Sequence, residues 1–197
     1  MQHRLTSFAV FCGSSSGHDA QYRELAYGAG QAIAALGAGI VYGGSQLGLM
    51  GAVASGALDA GGAVTGVIPG FLKTKEIAHT GLTQLIIVEN MHERKLRMHE
   101  LSDAIIALPG GWGTMEELME MLTWAQLGLH TKPIGLLNTG GFYNGLLELV
   151  QTMQQEGFLR AELAGMLIVA DEIALLLQAM AAYKAPAIPK WITEEGT

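Results

Sequence analysis

The chain has 197 residues, half of them hydrophobic, a formal charge of −7 and a single cysteine, Cys12. That length and apolar content fit one α/β domain with a full core. The acidity excludes a protein that coats nucleic acid, which needs a basic face, and one cysteine excludes an intramolecular disulfide.

Phe8-Ala9-Val10-Phe11-Cys12 predicts a buried strand, too short for a secretory h-region. The Gly/Ser loop Gly13–Gly17 follows, then a helix from Asp19 to about Leu36, stopped by Gly37. Ser14 to Ser16 can reach a base or ribose or simply face water. Gly39–Tyr42 is the second strand, and Gly43-Gly44-Ser45-Gln46-Leu47-Gly48-Leu49-Met50-Gly51 turns glycine-rich into a helix from Val53 to Ala60. This turn is neither G-x-G-x-x-G nor a P-loop, which argues against NAD and against ATP hydrolysis. Val64–Pro69 is the third strand, Phe71–Gly81 is irregular, and Leu85–Val88 is the fourth strand.

Glu89–Glu100 holds the densest charge cluster, with Arg94 and Arg97 neighbours on one helix face. It reads either as a solvated face with Glu93–Arg97 pairing or as a basic wall beside the next loop. His92 and His99 lack the spacing of a helical zinc pair, so no metal is expected. The apolar run Asp103–Leu108 leads into Pro109-Gly110-Gly111-Trp112-Gly113-Thr114-Met115-Glu116-Glu117, and from Met115 to Leu129 the residues Met115, Leu118, Met119, Leu122, Ala125 and Leu129 form an apolar stripe. Strand Pro133–Asn138, helix Phe142–Gln155, strand Met166–Val169 and helix Asp171–Tyr183 complete the pattern, and prolines and small residues from Ala185 read as a tail. Strands alternating with helices predict a Rossmann-like, doubly wound parallel sheet flanked by helices, a single domain over residues 1–184 with a tail at 185–197. No stretch is long enough to cross a bilayer, so a soluble cytoplasmic protein is expected.

The central stretch is a strand-to-helix turn. Such a turn leaves the first helical N–H groups without partners under the positive end of the helix dipole, which suits an anion. Gly110, Gly111 and Gly113 let the backbone approach a ligand, and Thr114 is the expected N-cap. A carboxylate beside a phosphate repels it. The phosphate therefore belongs on the loop amides while one acid faces another part of the ligand, as in a nucleoside or sugar 5'-phosphate. Spacing alone does not choose among Glu116, Glu117 and Glu120. The plain alternative is a tight turn with acids decorating the helix start.

Pro109–Glu117 matches the pattern PGGxGTxxE, and Met91-His92-Glu93-Arg94-Lys95 matches M-H-x-R-K. With Gly43-Gly44 and Gly48-Leu49-Met50-Gly51, from about Phe8 to Val169, the chain resembles the Lonely Guy family of cytokinin riboside 5'-monophosphate phosphoribohydrolases, whose members were often labelled lysine decarboxylases. The resemblance implies a cytoplasmic homodimer that hydrolyses the N-glycosidic bond of cytokinin riboside 5'-monophosphates or AMP, with no cofactor, no nucleic acid and no membrane partner. It further implies Arg94 and Glu117 as the catalytic pair, and Glu76, Arg94, Lys95, Gly111 to Glu117 and Thr123 as substrate contacts. Ser14, Gly43, Gly44 and Gly110 join them as loop residues. Ser45-Gln46 departs from the Gly-Gly-Gly of many relatives. A nucleotide-binding or cofactor-carrier protein of the same fold without catalysis is the alternative function.

Overall fold

A computed structural model describes residues 5–73 and 78–186. Its elements run β1 (Ser7–Phe11), α1 (Ala20–Ala35), β2 (Gly39–Tyr42), α2 (Gly48–Asp59), β3 (Val64–Pro69), β4 (Gln84–Val88), α3 (Met91–Glu100), β5 (Ala104–Ala107), α4 (Trp112–Gln126), β6 (Ile134–Leu137), α5 (Asn144–Gln155), α6 (Ala161–Ala164), β7 (Leu167–Ala170) and α7 (Ile173–Ala182). All seven strands join one parallel sheet in the order β4-β3-β2-β1-β5-β6-β7. The expected single α/β domain is therefore present.

The inner strands are almost continuous apolar runs because both faces of the sheet are covered. One face packs Phe8, Val10, Ile40 and Tyr42 under α1, α2 and α7; the other packs Phe11, Val41, Ile105 and Leu136 under α3, α4 and α5. Strand order reverses between β1 and β5, which are paired from Phe8↔Ala104 to Phe11↔Ala107. In such sheets ligands bind beyond the strand C-termini at this reversal. The loops after β1, β2 and β5 all lie on that edge.

Two helices start earlier than their periodicity predicts. α2 begins at Gly48 rather than Val53 and α4 at Trp112 rather than Met115, because glycines weak in helix propensity are carried into the first turns by tertiary contacts. α2 lies so close to α1 that a β-carbon on Gly56 would meet the Tyr27 carbonyl oxygen at 2.0 Å. The short helix α6 had no signal in the apolar pattern, and most of the expected tail lies outside the described residues. No helix among those residues is long and apolar enough to cross a membrane.

Candidate active site

The two glycine-rich turns have different fates. The Gly13 N–H donates to the Pro109 carbonyl at 3.0 Å, while the Gly13 carbonyl accepts from Leu49 N–H at 3.0 Å and Met50 N–H at 3.3 Å. This backbone seam fills the first turn of α2, so its amides are not an anion seat. The start of α4 is open. Its N-cap is Gly111, with no side-chain cap, and Gly111, Trp112 and Gly113 are exposed, the indole by 92 %. Thr114 is not the N-cap that its sequence position indicated. It is the third helical residue, 3 % exposed, with its hydroxyl tucked under Gly110, where a β-carbon would come within 2.1 Å of Oγ1. The helix can start this early only because position 110 has no side chain.

The buried stripe of α4 is Thr114, Glu117, Leu118, Met121 and Ala125. This corrects the Met115–Leu129 stripe read from the sequence: Leu129 is exposed and Met115, Met119 and Leu122 are half-buried. A carboxylate thus occupies a core-facing position. Burial raises the Glu117 pKa from 4.5 to about 7, with Arg94 and Lys95 opposing and Glu116 and Glu120 adding to the rise. Burial also lifts the Cys12 thiol, at the end of β1, above its usual range, with Glu117 adding and Arg94 opposing. Cys12 is a core residue, and it places Glu117 and Arg94 over the C-terminal end of the central strand.

α3 delivers the basic partner. Its start is fixed by Asn90, whose Oδ1 accepts the Glu93 N–H at 2.9 Å, and by Glu93, whose Oε2 accepts the Glu89 N–H at 2.8 Å. The Glu93–Arg97 pairing expected from spacing does not form, since Arg97 pairs with Glu100 at 3.0 Å on the surface. Arg94 turns inward and is 6 % exposed. Its Nε donates to the Val67 carbonyl of β3 and its Nη2 to the Gly43 carbonyl beyond β2, each at 3.2 Å. Backbone carbonyls hold the guanidinium, leaving its full charge for the site.

Lys95 is buried beside Arg94 but is spoken for. Its ammonium contacts Glu116 and lies 3.1 Å from Glu120 Oε2. Burial, which alone would lower its pKa, is outweighed by those two acids, and the value is raised. The structure thereby separates three acids that spacing could not: Glu116 and Glu120 neutralise Lys95, and Glu117 is buried within the field of Arg94.

Of the other sequence-derived positions, Gly43 and Gly44 are buried; Gly43 shapes the seat of Arg94, and Gly44, at φ +80°, lies against Ile68 and Leu85. Ser14 is exposed and lines a cavity of about 270 Å³ with Tyr22, Leu49, Pro109, Gly110 and Phe142, apart from Arg94 and Glu117. Thr123 is not brought to the crevice within one chain: it lies on the exposed side of α4, donating to the Met119 carbonyl at 2.7 Å. Glu76 lies outside the described residues. A cavity of about 600 Å³ lies at the opposite edge of the sheet, among Leu5, Asp103, Lys132 and Tyr183. No group of three or more His, Cys, Asp or Glu among the described residues is arranged to hold a metal. The Gly13 seam and the Lys95 clamp were missed in the sequence. Asn90-x-x-Glu93 was a legible capping signal for the start of α3.

A family model described as "Possible lysine decarboxylase" matches residues 50–180. A cytokinin riboside 5'-monophosphate phosphoribohydrolase of Rhodococcoides fascians is 48 % identical over 181 residues, 91 % of this chain and 90 % of that protein. A probable cytokinin riboside 5'-monophosphate phosphoribohydrolase of Oryza sativa subsp. japonica is 46 % identical over 180 residues, covering 91 % of this chain and 81 % of its own length. Among solved structures, the Moco carrier protein from Chlamydomonas reinhardtii superposes with a TM-score of 0.67 at 24 % identity, covering 89 % of this chain and 95 % of its own, and so shares the fold.

Proposed function

Because this chain belongs to the Lonely Guy family of cytokinin riboside 5'-monophosphate phosphoribohydrolases, we propose that it hydrolyses the N-glycosidic bond of cytokinin riboside 5'-monophosphates and of AMP, releasing the free base and ribose 5-phosphate. The observation that carries this reading is the buried Glu117 carboxylate, one helical turn behind open amides and in the field of a carbonyl-anchored arginine. A lysine decarboxylase would need an electron sink, and the reading draws nothing from that older label.

The substrate phosphate sits on the amides of Gly111 to Thr114, where it serves as an anchor and its binding energy orients the sugar. As the C1'–N bond lengthens, positive charge builds on the ribose ring. The ionised Glu117 stabilises that charge and orients the attacking water. Water adds its hydroxyl to C1', and its remaining proton ends on the departing base. Arg94 opposes the rise that burial gives the Glu117 pKa, favouring its ionised form. Trp112 and Met115 border the anion seat, the Gly43 carbonyl holds Arg94 with Gly44 turning the chain beside it, and Lys95 holds Glu116 away from the phosphate. Glu76, Ser14 and Thr123 enter only as family-derived or loop contacts, and Thr123 would have to come from a second copy. A homodimer acting in the cytoplasm belongs to the same reading, carried by the family resemblance.

The test is incubation with AMP and with an N6-prenylated analogue, with and without EDTA, followed by detection of base and ribose 5-phosphate. Base release that survives EDTA and is lost in Glu117→Gln is the expected result. Binding without product points to a carrier of this fold, and loss with EDTA points to metal-dependent phosphoribosyl chemistry; either overturns the proposal.

A further inference from the structure

A second ionisable cluster joins α3 to α4 at the end remote from the crevice. His99, in the last turn of α3, presents its ring edge-on to Trp124 of α4, with centroids 5.4 Å apart, and lies 4.8 Å from the ring of His130 in the loop after α4. His130 Nε2 is 3.0 Å from the Met121 carbonyl and its Nδ1 accepts the Lys132 N–H at 3.2 Å, which together require the neutral Nε2–H tautomer. The Lys132 ammonium donates to the His99 carbonyl, at the negative end of the α3 dipole. The His99–Trp124 pair joins the helix that carries Arg94 directly to the helix that carries Glu117, and His130 and Lys132 join them through the loop after α4.

One atom in this cluster has no structural task. His99 Nε2 is buried without a hydrogen-bond partner. A phenyl ring would fill the same space without leaving a polar atom unmet, so what the imidazole adds is the capacity to take a proton on acidification. We propose that His99, His130 and Lys132 form an acid-sensitive lock, which holds Arg94 and Glu117 in register at neutral pH and lets α3 part from α4 when the imidazoles are protonated.

The surrounding charges favour release on acidification. Lys132 and His130 face His99 from the loop, and only Glu100, on α3 itself, attracts a proton to it; burial first, then those two groups, lowers His99 to about 4. Burial also lowers His130, opposed by its bond to the Met121 carbonyl and reinforced by Lys132. Lys132 in turn is lowered by burial, with Asp103 and Glu100 opposing. The nearby acids of α4, Glu116 and Glu120, are held by Lys95 and do not compensate. An unfolded histidine titrates near 6.5, so the folded chain binds fewer protons below that value. The lock's contribution is complete above about 6.5 and is lost as the pH falls toward about 4.

The effect on turnover rests on the hydrolase reading above, whereas the opening itself does not. The experiment takes the full chain as wild type, His99→Phe and His130→Gln, the glutamine amide being able to keep the bond to the Met121 carbonyl. Tryptophan emission, hydrogen exchange of the α3 amides and AMP hydrolysis are followed from pH 8 to pH 4. Wild type should lose turnover reversibly with a slope steeper than one proton, together with quenching of Trp124 by the imidazolium and faster α3 exchange. At pH 4 each variant should retain a fraction of its neutral-pH rate about twofold above that of wild type, and His99→Phe should show no emission change. Superimposable acid curves for all three proteins would overturn the lock. If no nucleotide is hydrolysed, emission and exchange still decide it.

Discussion

Arg94 Nη2 lies 3.2 Å from the carbonyl oxygen of Gly43, and a β-carbon at position 43 would stand 1.9 Å from that same nitrogen. The glycine is thus the seat of the guanidinium. Gly43→Ala should give a folded protein whose Arg94 is displaced, with kcat/KM lower by about 10²-fold, the usual cost of an ångström of misplacement. Near-normal kcat/KM in that variant would show that Arg94 does not need its carbonyl anchors.

Glu117→Gln keeps the shape of the side chain and removes its charge. Turnover should fall by roughly 10²-fold or more with nucleotide binding retained by calorimetry. Glu116→Gln and Glu120→Gln should stay within a few-fold of wild type, because those acids serve Lys95. Equal losses in all three variants would remove the distinction between the buried acid and its neighbours.

The raised Glu117 pKa gives activity and stability opposite pH dependences. If the carboxylate is the working form, kcat/KM should rise about tenfold from pH 6 to pH 8 with a midpoint at about 7. Stability runs the other way. Between 4.5 and about 7 the folded chain holds a proton that the unfolded chain has released. Denaturant titration should therefore show Glu117's contribution declining as the pH rises through that window, by up to about 3 kcal/mol. Glu117→Gln should flatten both dependences. A wild-type rate indifferent to pH from 6 to 8 would contradict an ionised Glu117.

Lys95→Met should move the acid limb of kcat/KM to higher pH. Lys95 lowers the Glu117 pKa and the two acids it neutralises raise it, so losing the ammonium leaves only the repulsion. Glu116→Gln should shift the limb the other way. Because Glu116 is exposed, salt should shrink the Glu116→Gln shift more than the Lys95→Met shift.

Strand content and direction were legible because two-sided burial writes continuous apolar runs into β1, β2, β3 and β5. The Gly-rich turn before α4 was legible as an open strand-to-helix turn because such helix starts follow from local chemistry. What spacing could not supply was the rotation of α4. Glu117 falls inside the buried stripe only because Thr114, not Met115, faces the sheet. That choice is made by a contact between Thr114 and Gly110 and by the fit of α3 alongside. The same limit hid the inward turn of Arg94: beside Arg97 in sequence it reads as one of a surface pair, and only the carbonyls of Gly43 and Val67, from distant strands, draw it in.

The Gly13 seam has a consequence for which ligands the crevice can take. With the start of α2 already closed by a backbone carbonyl, the start of α4 is the one of the two glycine-rich helix starts that keeps its first amides open. Nucleoside di- and triphosphates, whose second and third phosphates elsewhere rest on a further row of amides or on a lysine, would find Lys95 clamped by two acids and would leave those groups in solvent. On the proposed hydrolase reading, discrimination among adenine nucleotides would thereby be set by the backbone, before any side chain touches the base.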